Sequence, residues 1–489
     1  MKEKCRLDKD FEKVGLWTLP NYSFSSGISG KIIYNNNSLK LEIYGDLNDI
    51  KESDGIRCFG IEPEKEEVII GFTQDGYTVI IEDAYQRYRT ASYPGMVYTE
   101  YIFNKCILMK INYCDSEKSE NQLLEMIKNV GIDNIPCSSC KFSIRDMNLW
   151  MNSSEIHQKI GCKSKCIYYD LSSYDIDYFY VHDDNLVFSN DVVCKSIGNS
   201  LSEEYFWKLT TINSDQHSLS DYKTNIDSFK SLLQLFIDSP TQYSFIDFEI
   251  PMEGYYKNNI TAHYIYSQFH SETNTKVRLP YNVLSDKLGL ILENWFKKKN
   301  KLSLIIDNYL NDINNNYFSE AKLLNAIKNL EIYHRNFKDN VNNQIEDEGL
   351  ESYKKDLIEY INNTIDDPKF RGRFISNIEY YPETSLRKRL SDLFKNLPPE
   401  LIDVYFKLSN KSPSKSIDSM INRIVQTRHY YTHGDDITNF PKCIIDTIDQ
   451  IKATNTLNQI VKYYIYEELG ILDAEVIKTF IKENPKYYF

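Results

Sequence analysis

The sequence predicts an α+β multidomain chain, with a β-rich N-terminal domain followed by an all-α helical domain. Three observations carry this. Val68-Ile69-Ile70-Gly71-Phe72 and Tyr77-Thr78-Val79-Ile80-Ile81 flank Asp75-Gly76, and Asp-Gly between β-branched runs is a hairpin signal. Leu39, Leu41 and Ile43 alternate with polar neighbours, the period of a half-buried strand. Beyond residue 280 the period turns helical. The interruptions there fall where helices stop: Asn314-Asn315-Asn316, Asp366-Asp367-Pro368, Pro398-Pro399, Ser412-Pro413 and Gly434.

In chain order, strands are expected within 31–45, turning at Asn35-Asn36-Asn37, then within 67–82, 98–112 and 175–190. Spaced Leu123, Leu124, Ile127 and Val130 suggest a short helix over 115–130. Ser202-Glu203-Glu204 reads as a helix start. Residues 225–237 have helical spacing, and Tyr243–Phe248 reads as a strand. Helices are expected at about 281–297, 301–313, 318–338, 350–364, 384–396, 398–408, 416–433, 441–468 and 472–483. The expected division is therefore a β-rich domain over 1–200, a mixed connector over 201–280 and a helical domain over 281–489.

Length and composition bound the function classes. At 489 residues, two or three domains are expected. Hydrophobic residues at 42% and charged residues at 26% describe a chain that can bury cores, which excludes a disordered one. The net charge of -13 argues against a general nucleic-acid binder. Locally, Arg387-Lys388-Arg389 and Arg423 could form an RNA-binding face, or simply a solvated helix surface. The charged N-terminus lacks a signal-like apolar region, and no segment approaches the roughly 18 apolar residues of a membrane span. A cytoplasmic protein with no membrane partner is expected. Ten cysteines spread along such a chain read as reduced thiols. Cys137-x2-Cys140 and Cys162-x3-Cys166 are spaced as a structural zinc site could be.

The sharpest chemical signal is Arg428-His429-Tyr430-Tyr431-Thr432-His433, closing an amphipathic helix. Metal-free RNA cleavage needs a group that moves a proton near neutral pH, which suits histidine. It also needs a permanent cation that forks onto phosphate oxygens, which suits arginine. Five residues at about 100° each set Arg428 and His433 about 140° apart on a regular helix. Either the helix unwinds toward Gly434, or the site is completed across a dimer interface. A bland reading makes the pair helix-end cations facing carbonyls, within a non-catalytic, helical partner-binding protein. A rival reading uses His429 and His433, at i and i+4, with Asp435 as ligands of a metal-dependent hydrolase. His334-Arg335, set among Leu330, Ile332, Tyr333 and Phe337, reads as structural.

Gly15-Leu16-Trp17-Thr18-Leu19-Pro20, Gly30-Lys31-Ile32-Ile33-Tyr34, Leu39-Lys40-Leu41-Glu42-Ile43-Tyr44-Gly45 and Ile69 through Val79 together resemble the N-terminal domain of the ApeA family of bacterial anti-phage proteins. Those proteins end in a HEPN domain, whose motif is Arg followed four to six residues later by His. Here it maps onto Arg428 and His433, with His429 as a helper or orienting residue. The resemblance implies a homodimeric endoribonuclease of abortive infection that needs no cofactor for catalysis and leaves 2′,3′-cyclic phosphate ends. It further implies RNA, tRNA in particular, as target, and a phage component such as a capsid protein as trigger. The β-rich domain would then be the sensor.

Overall fold

The computed structural model describes residues 5–20, 22, 24–47, 65–92, 95–110, 131–151, 156–160, 165–169, 176–197, 200–251, 259–268, 277–315, 317–379, 384–406, 412–434 and 436–482. The helix expected over 115–130 lies outside them. Two compact units divide the chain, Met1–Glu293 and Asn294–Phe489.

The first unit opens with β1 (Phe11–Thr18), β2 (Ile28–Asn35), β3 (Ser38–Ile43), β4 (Lys65–Thr73), β5 (Thr78–Ser92), β6 (Met96–Phe103) and β7 (Lys105–Met109). The β2–β3 turn places Asn36 and Asn37 at φ 48° and 62°, the left-handed pair of a two-residue hairpin. Gly76, at φ 85°, turns β4 into β5. One edge of β5 pairs with β4. Its other edge pairs first with β7 and then, from Tyr85 to Ser92, with β6. Because β6 also pairs with β3, the ring β1-β2-β3-β6-β5-β4 closes on itself, which removes exposed edges. Trp17 is fully buried in it and lies opposite Gly71.

From β7 the sheet continues through β17 (Asn259–Tyr266), β16 (Tyr243–Pro251), β9 (Ser139–Ile144), β14 (Ser200–Thr211), β13 (Leu186–Ile197) and β12 (Tyr178–Val181). Two short pairs stand apart: β8 (Pro136–Cys137) with β15 (His217–Ser218), and β10 (Ile156–Ile160) with β11 (Lys165–Tyr169). The residues 201–280 thus supply β14, β16 and β17 to the large sheet, along with helix α2. A short helix, α1, covers Met147–Met151 and α2 covers Leu219–Ile237. The latter starts at a capping box in which the Ser218 side chain accepts from the Asp221 amide. Its Phe229 ring lies 4.9 Å from Phe188 of β13 and 4.9 Å from Trp207 of β14. Ser202-Glu203-Glu204 sits within β14 and starts no helix. Tyr205, Phe206, Trp207 and Leu209 are all buried, with Trp207 against Phe229 of α2 and Phe206 against Phe245 of β16. A short apolar run covered on both faces has no period to separate strand from helix.

After α3 (Tyr281–Leu284) comes α4 (Leu288–Asn314), one unbroken helix where two were expected. The second unit adds α5 (Glu320–Phe337), α6 (Asp339–Thr364), α7 (Pro368–Glu379), α8 (Leu386–Lys395), α9 (Pro399–Phe406), α10 (Pro413–His433), α11 (Thr447–Leu469) and α12 (Ala474–Lys482). Helix α5 packs on both α11 and α8, and α8 packs on α10. Tyr333 of α5 and Tyr464 of α11 stack at 4.8 Å, and the Tyr333 hydroxyl donates to Glu468 at 2.8 Å. Among the described residues no helix is long and apolar enough to cross a membrane.

Candidate active site

Helix α10 has sharp ends. Ser412 precedes Pro413 at the first helical position, and Gly434 closes the helix at φ 66° with its amide donating to the Tyr430 carbonyl. Ile417, Ile421 and Ile424 are buried and spaced to share one face. Arg428, eleven residues beyond Ile417, falls on the same line, since eleven steps of about 100° return close to the start. It is therefore half-buried, whereas His429 and His433 are exposed. The helix stays regular through His433, so no unwinding brings the pair together within one chain. Their side chains leave the axis about 140° apart.

Each side chain has its own surroundings. Arg428 and Thr432, one turn apart, line a cleft of about 360 Å³ whose other wall is α5, through Leu324, Ile327, Lys328, Glu331, Ile332 and Arg335. Among the described residues no carboxylate pairs with Arg428. One and a half turns earlier, Arg423 is tied to Asp449 at 3.0 Å. On the other side of α10, the His433 ring stacks on His429 at 5.7 Å with 23° between planes. His429 lies nearly parallel to Phe440 at 6.4 Å. The segment carrying Phe440 is fastened to α10 by Thr427, whose hydroxyl accepts from the Ile444 amide at 2.9 Å, and by Gln426, which accepts from the Lys442 amide at 2.8 Å. Asp435, the third ligand of the metal reading, lies outside the described residues.

The basic residues of α8 divide. Arg387 and Lys388 are exposed, and Lys388 bonds Asp392 at 2.7 Å. Arg389 points inward at 3% exposure. Its Nε donates to the Thr384 carbonyl at 2.9 Å, and its Nη1 lies 3.3 Å from His334 Nδ1. Arg389 thus joins the interior and not a solvated face. His334 is buried at 2% and also lies 3.4 Å from Asp392, a structural histidine as expected. Its neighbour Arg335 is exposed and pairs with Glu331 at 3.0 Å. The sequence reading gives Arg335 only a structural role and does not single out Lys328. Their seven-residue spacing on one helix face was the available signal.

In the first unit, Cys137 and Cys140 are fully buried. Burial pushes the Cys137 thiol up to about 12 and the Cys140 thiol well above its usual range. Cys137 donates to the Ile135 carbonyl at 3.4 Å. Cys166 stands on β11, and Cys162 lies outside the described residues.

Comparison with known proteins gives two matches. Residues 12–295 match the family model for ApeA N-terminal domain 1, and residues 324–475 match the model for the Apea-like HEPN domain. The second span contains α10, α11 and nearly all of α5. No curated protein and no solved structure shows a significant match to the chain.

Proposed function

The chain belongs to the ApeA family, a group of HEPN-bearing anti-phage defence proteins, and on that premise we propose that it is a metal-independent endoribonuclease with Arg428 and His433 as its catalytic pair. The observation that carries this reading is the state of Arg428. A half-buried guanidinium in a cleft, with no carboxylate partner among the described residues, is poised to take an anion from outside. An RNA phosphate is such an anion.

The chemistry follows from the two side chains. The ribose 2′-hydroxyl attacks the adjacent phosphorus and loses its proton. The O2′–P bond forms, the P–O5′ bond breaks, and the leaving oxygen takes up a proton. The products are a 2′,3′-cyclic phosphate and a 5′-hydroxyl. Arg428 stabilises the charge that builds on the phosphoryl oxygens. His433, exposed on the last turn, exchanges the proton. His429 holds the His433 ring by stacking, with Phe440 behind it.

Because the pair diverges on one helix, each site takes Arg428 from one copy and His433 from the other, in a homodimer. The β-rich first unit senses a phage protein, such as a capsid component, and the target is host RNA in the cytoplasm, tRNA in particular. The test is RNA cleavage by the purified full-length protein in EDTA, with and without phage lysate, beside Arg428→Ala and His433→Ala. Cleavage that survives EDTA, leaves cyclic-phosphate ends and is lost in both variants is the expected result. Cleavage abolished by EDTA would replace this reading with a metal site at His429 and His433.

A further inference from the structure

Helix α5 brings its own charges to the cleft that holds Arg428. Lys328 and Arg335 lie two turns apart on one face of it, opposite Arg428, with Glu331 between them. Three cations against one carboxylate leave the cleft at +2, in a chain whose net charge is -13. The rest of the lining is different in kind. Leu324, Ile327 and Ile332 give it an apolar wall. A bare phosphate would make no use of that wall, and an apolar ligand would leave the cations unanswered. The ligand class that meets both is a nucleotide, with its phosphate on the cations and its ribose and base against the aliphatic side chains. The volume of about 360 Å³ lies at the small end of the range for ligand pockets, in keeping with one nucleotide and not a folded RNA element.

Resting on the ribonuclease reading, we propose that this cleft is a subsite for the RNA nucleotide next to the scissile phosphate, with Lys328 and Arg335 as positioning residues. The phosphate reached by Arg428 and the one held by Lys328 and Arg335 would be successive along one strand. Glu331 sets the strength of the subsite. Its pairing with Arg335 at 3.0 Å offsets one of the three cations, so RNA entry exchanges one anionic partner of Arg335 for another. That exchange makes the Glu331 side chain a brake on binding.

The experiment uses the full-length protein with a short single-stranded RNA. Lys328→Gln with Arg335→Gln is expected to raise KM about tenfold and to leave kcat within about twofold. In the His433→Ala background, the slope of log K against log salt should fall by about 0.7, the value for the one phosphate contact on a single strand that the two cations share. Arg335→Lys should recover most of the loss. Glu331→Gln should lower KM, a gain that damage to the fold would not produce. Unchanged KM and unchanged salt slope, with Arg428→Ala still inactive, would overturn the subsite and leave the ribonuclease standing. If wild type cleaves nothing, the ribonuclease reading falls, and the salt slope of the His433→Ala protein still decides whether the cleft holds RNA. A free mononucleotide that competes for the cleft while RNA oligomers do not would also overturn the proposal, in favour of an effector site.

Discussion

Arg428 and His433 stand on one regular helix, yet they serve different surfaces. Arg428 looks into the cleft against α5, and His433 lies over His429 at 5.7 Å. On the ribonuclease reading proposed above, a reaction that needs both at one phosphate would draw them from two chains. Mixing inactive subunits tests this directly. Arg428→Ala and His433→Ala homodimers are each expected to be inactive. Random reassortment makes half the dimers mixed, and each of those keeps one intact site, so activity should return to roughly a quarter of wild type. No recovery after verified subunit exchange would mean that each chain supplies its own pair.

The basic run on α8 should split into two behaviours. Arg387 and Lys388 are exposed, so their alanine variants should weaken RNA binding and each lower the salt slope by about 0.7, with little change in stability. Arg389 is buried against Thr384 and His334. Its alanine variant should cost about 1–3 kcal/mol of the second unit's stability, because a charged hydrogen-bond donor is lost from the interior. The salt slope should stay unchanged. Denaturant unfolding beside salt-titrated binding separates the cases. A salt slope lowered by Arg389→Ala, at full stability, would refute the inward placement.

Much of this architecture was legible because it is local. Asp75-Gly76 marked the β4–β5 turn, Leu39, Leu41 and Ile43 gave the period of β3, and Gly434 gave the end of α10. What stayed hidden depends on partners far along the chain. Residues 98–112 read as one strand, but the ladder changes partner across Asn104. Before it β6 pairs with β3, and after it β7 pairs with β17. The N-terminal part of α6, rich in Asn, Glu and Asp, shows no apolar period, so the helix expected from about residue 350 begins about three turns earlier, at Asp339. At the site, the helix and its divergent pair could be read from spacing alone. The cleft could not, since Lys328 and Arg335 on a charged helix face look like solvated surface until α10 packs beside α5.

The barrel of the first unit should be sensitive to single atoms at Gly71. A Cβ placed there would lie 2.2 Å from Trp17 Cζ3, and one at Gly30 would lie 2.4 Å from the Glu42 carbonyl. Trp17 is wholly buried and its indole occupies the space that a side chain at residue 71 would need. Gly71→Ala should therefore destabilise the first unit by about 1–3 kcal/mol, through a forced shift of the ring. Gly372, with no atom near its Cβ position, is the control. Gly372→Ala in the middle of α7 should be neutral or slightly stabilising. Thermal unfolding of both variants checks the pair, and equal stability of the two would show that Trp17 does not depend on the missing side chain.

Acid should loosen the first unit through Glu204. Its carboxylate is engaged by both Arg6 and Lys195. Burial alone would raise its pKa, but Lys195 and Arg6 outweigh burial and hold it below the ordinary 4.5. A group whose folded pKa is depressed adds stability above its unfolded pKa and loses it as pH falls through the folded value. The contribution is therefore complete at pH 7 and decays below about 4.5. Glu204→Gln should lower stability at neutral pH by about 1.5–3 kcal/mol, the cost of losing hydrogen bonds to charged groups. The gap between variant and wild type should then narrow as the pH is taken down to about 3. Urea unfolding at the two pH values reads it. A gap that stays constant with pH would mean that the Glu204 charge contributes nothing and that packing alone accounts for the loss.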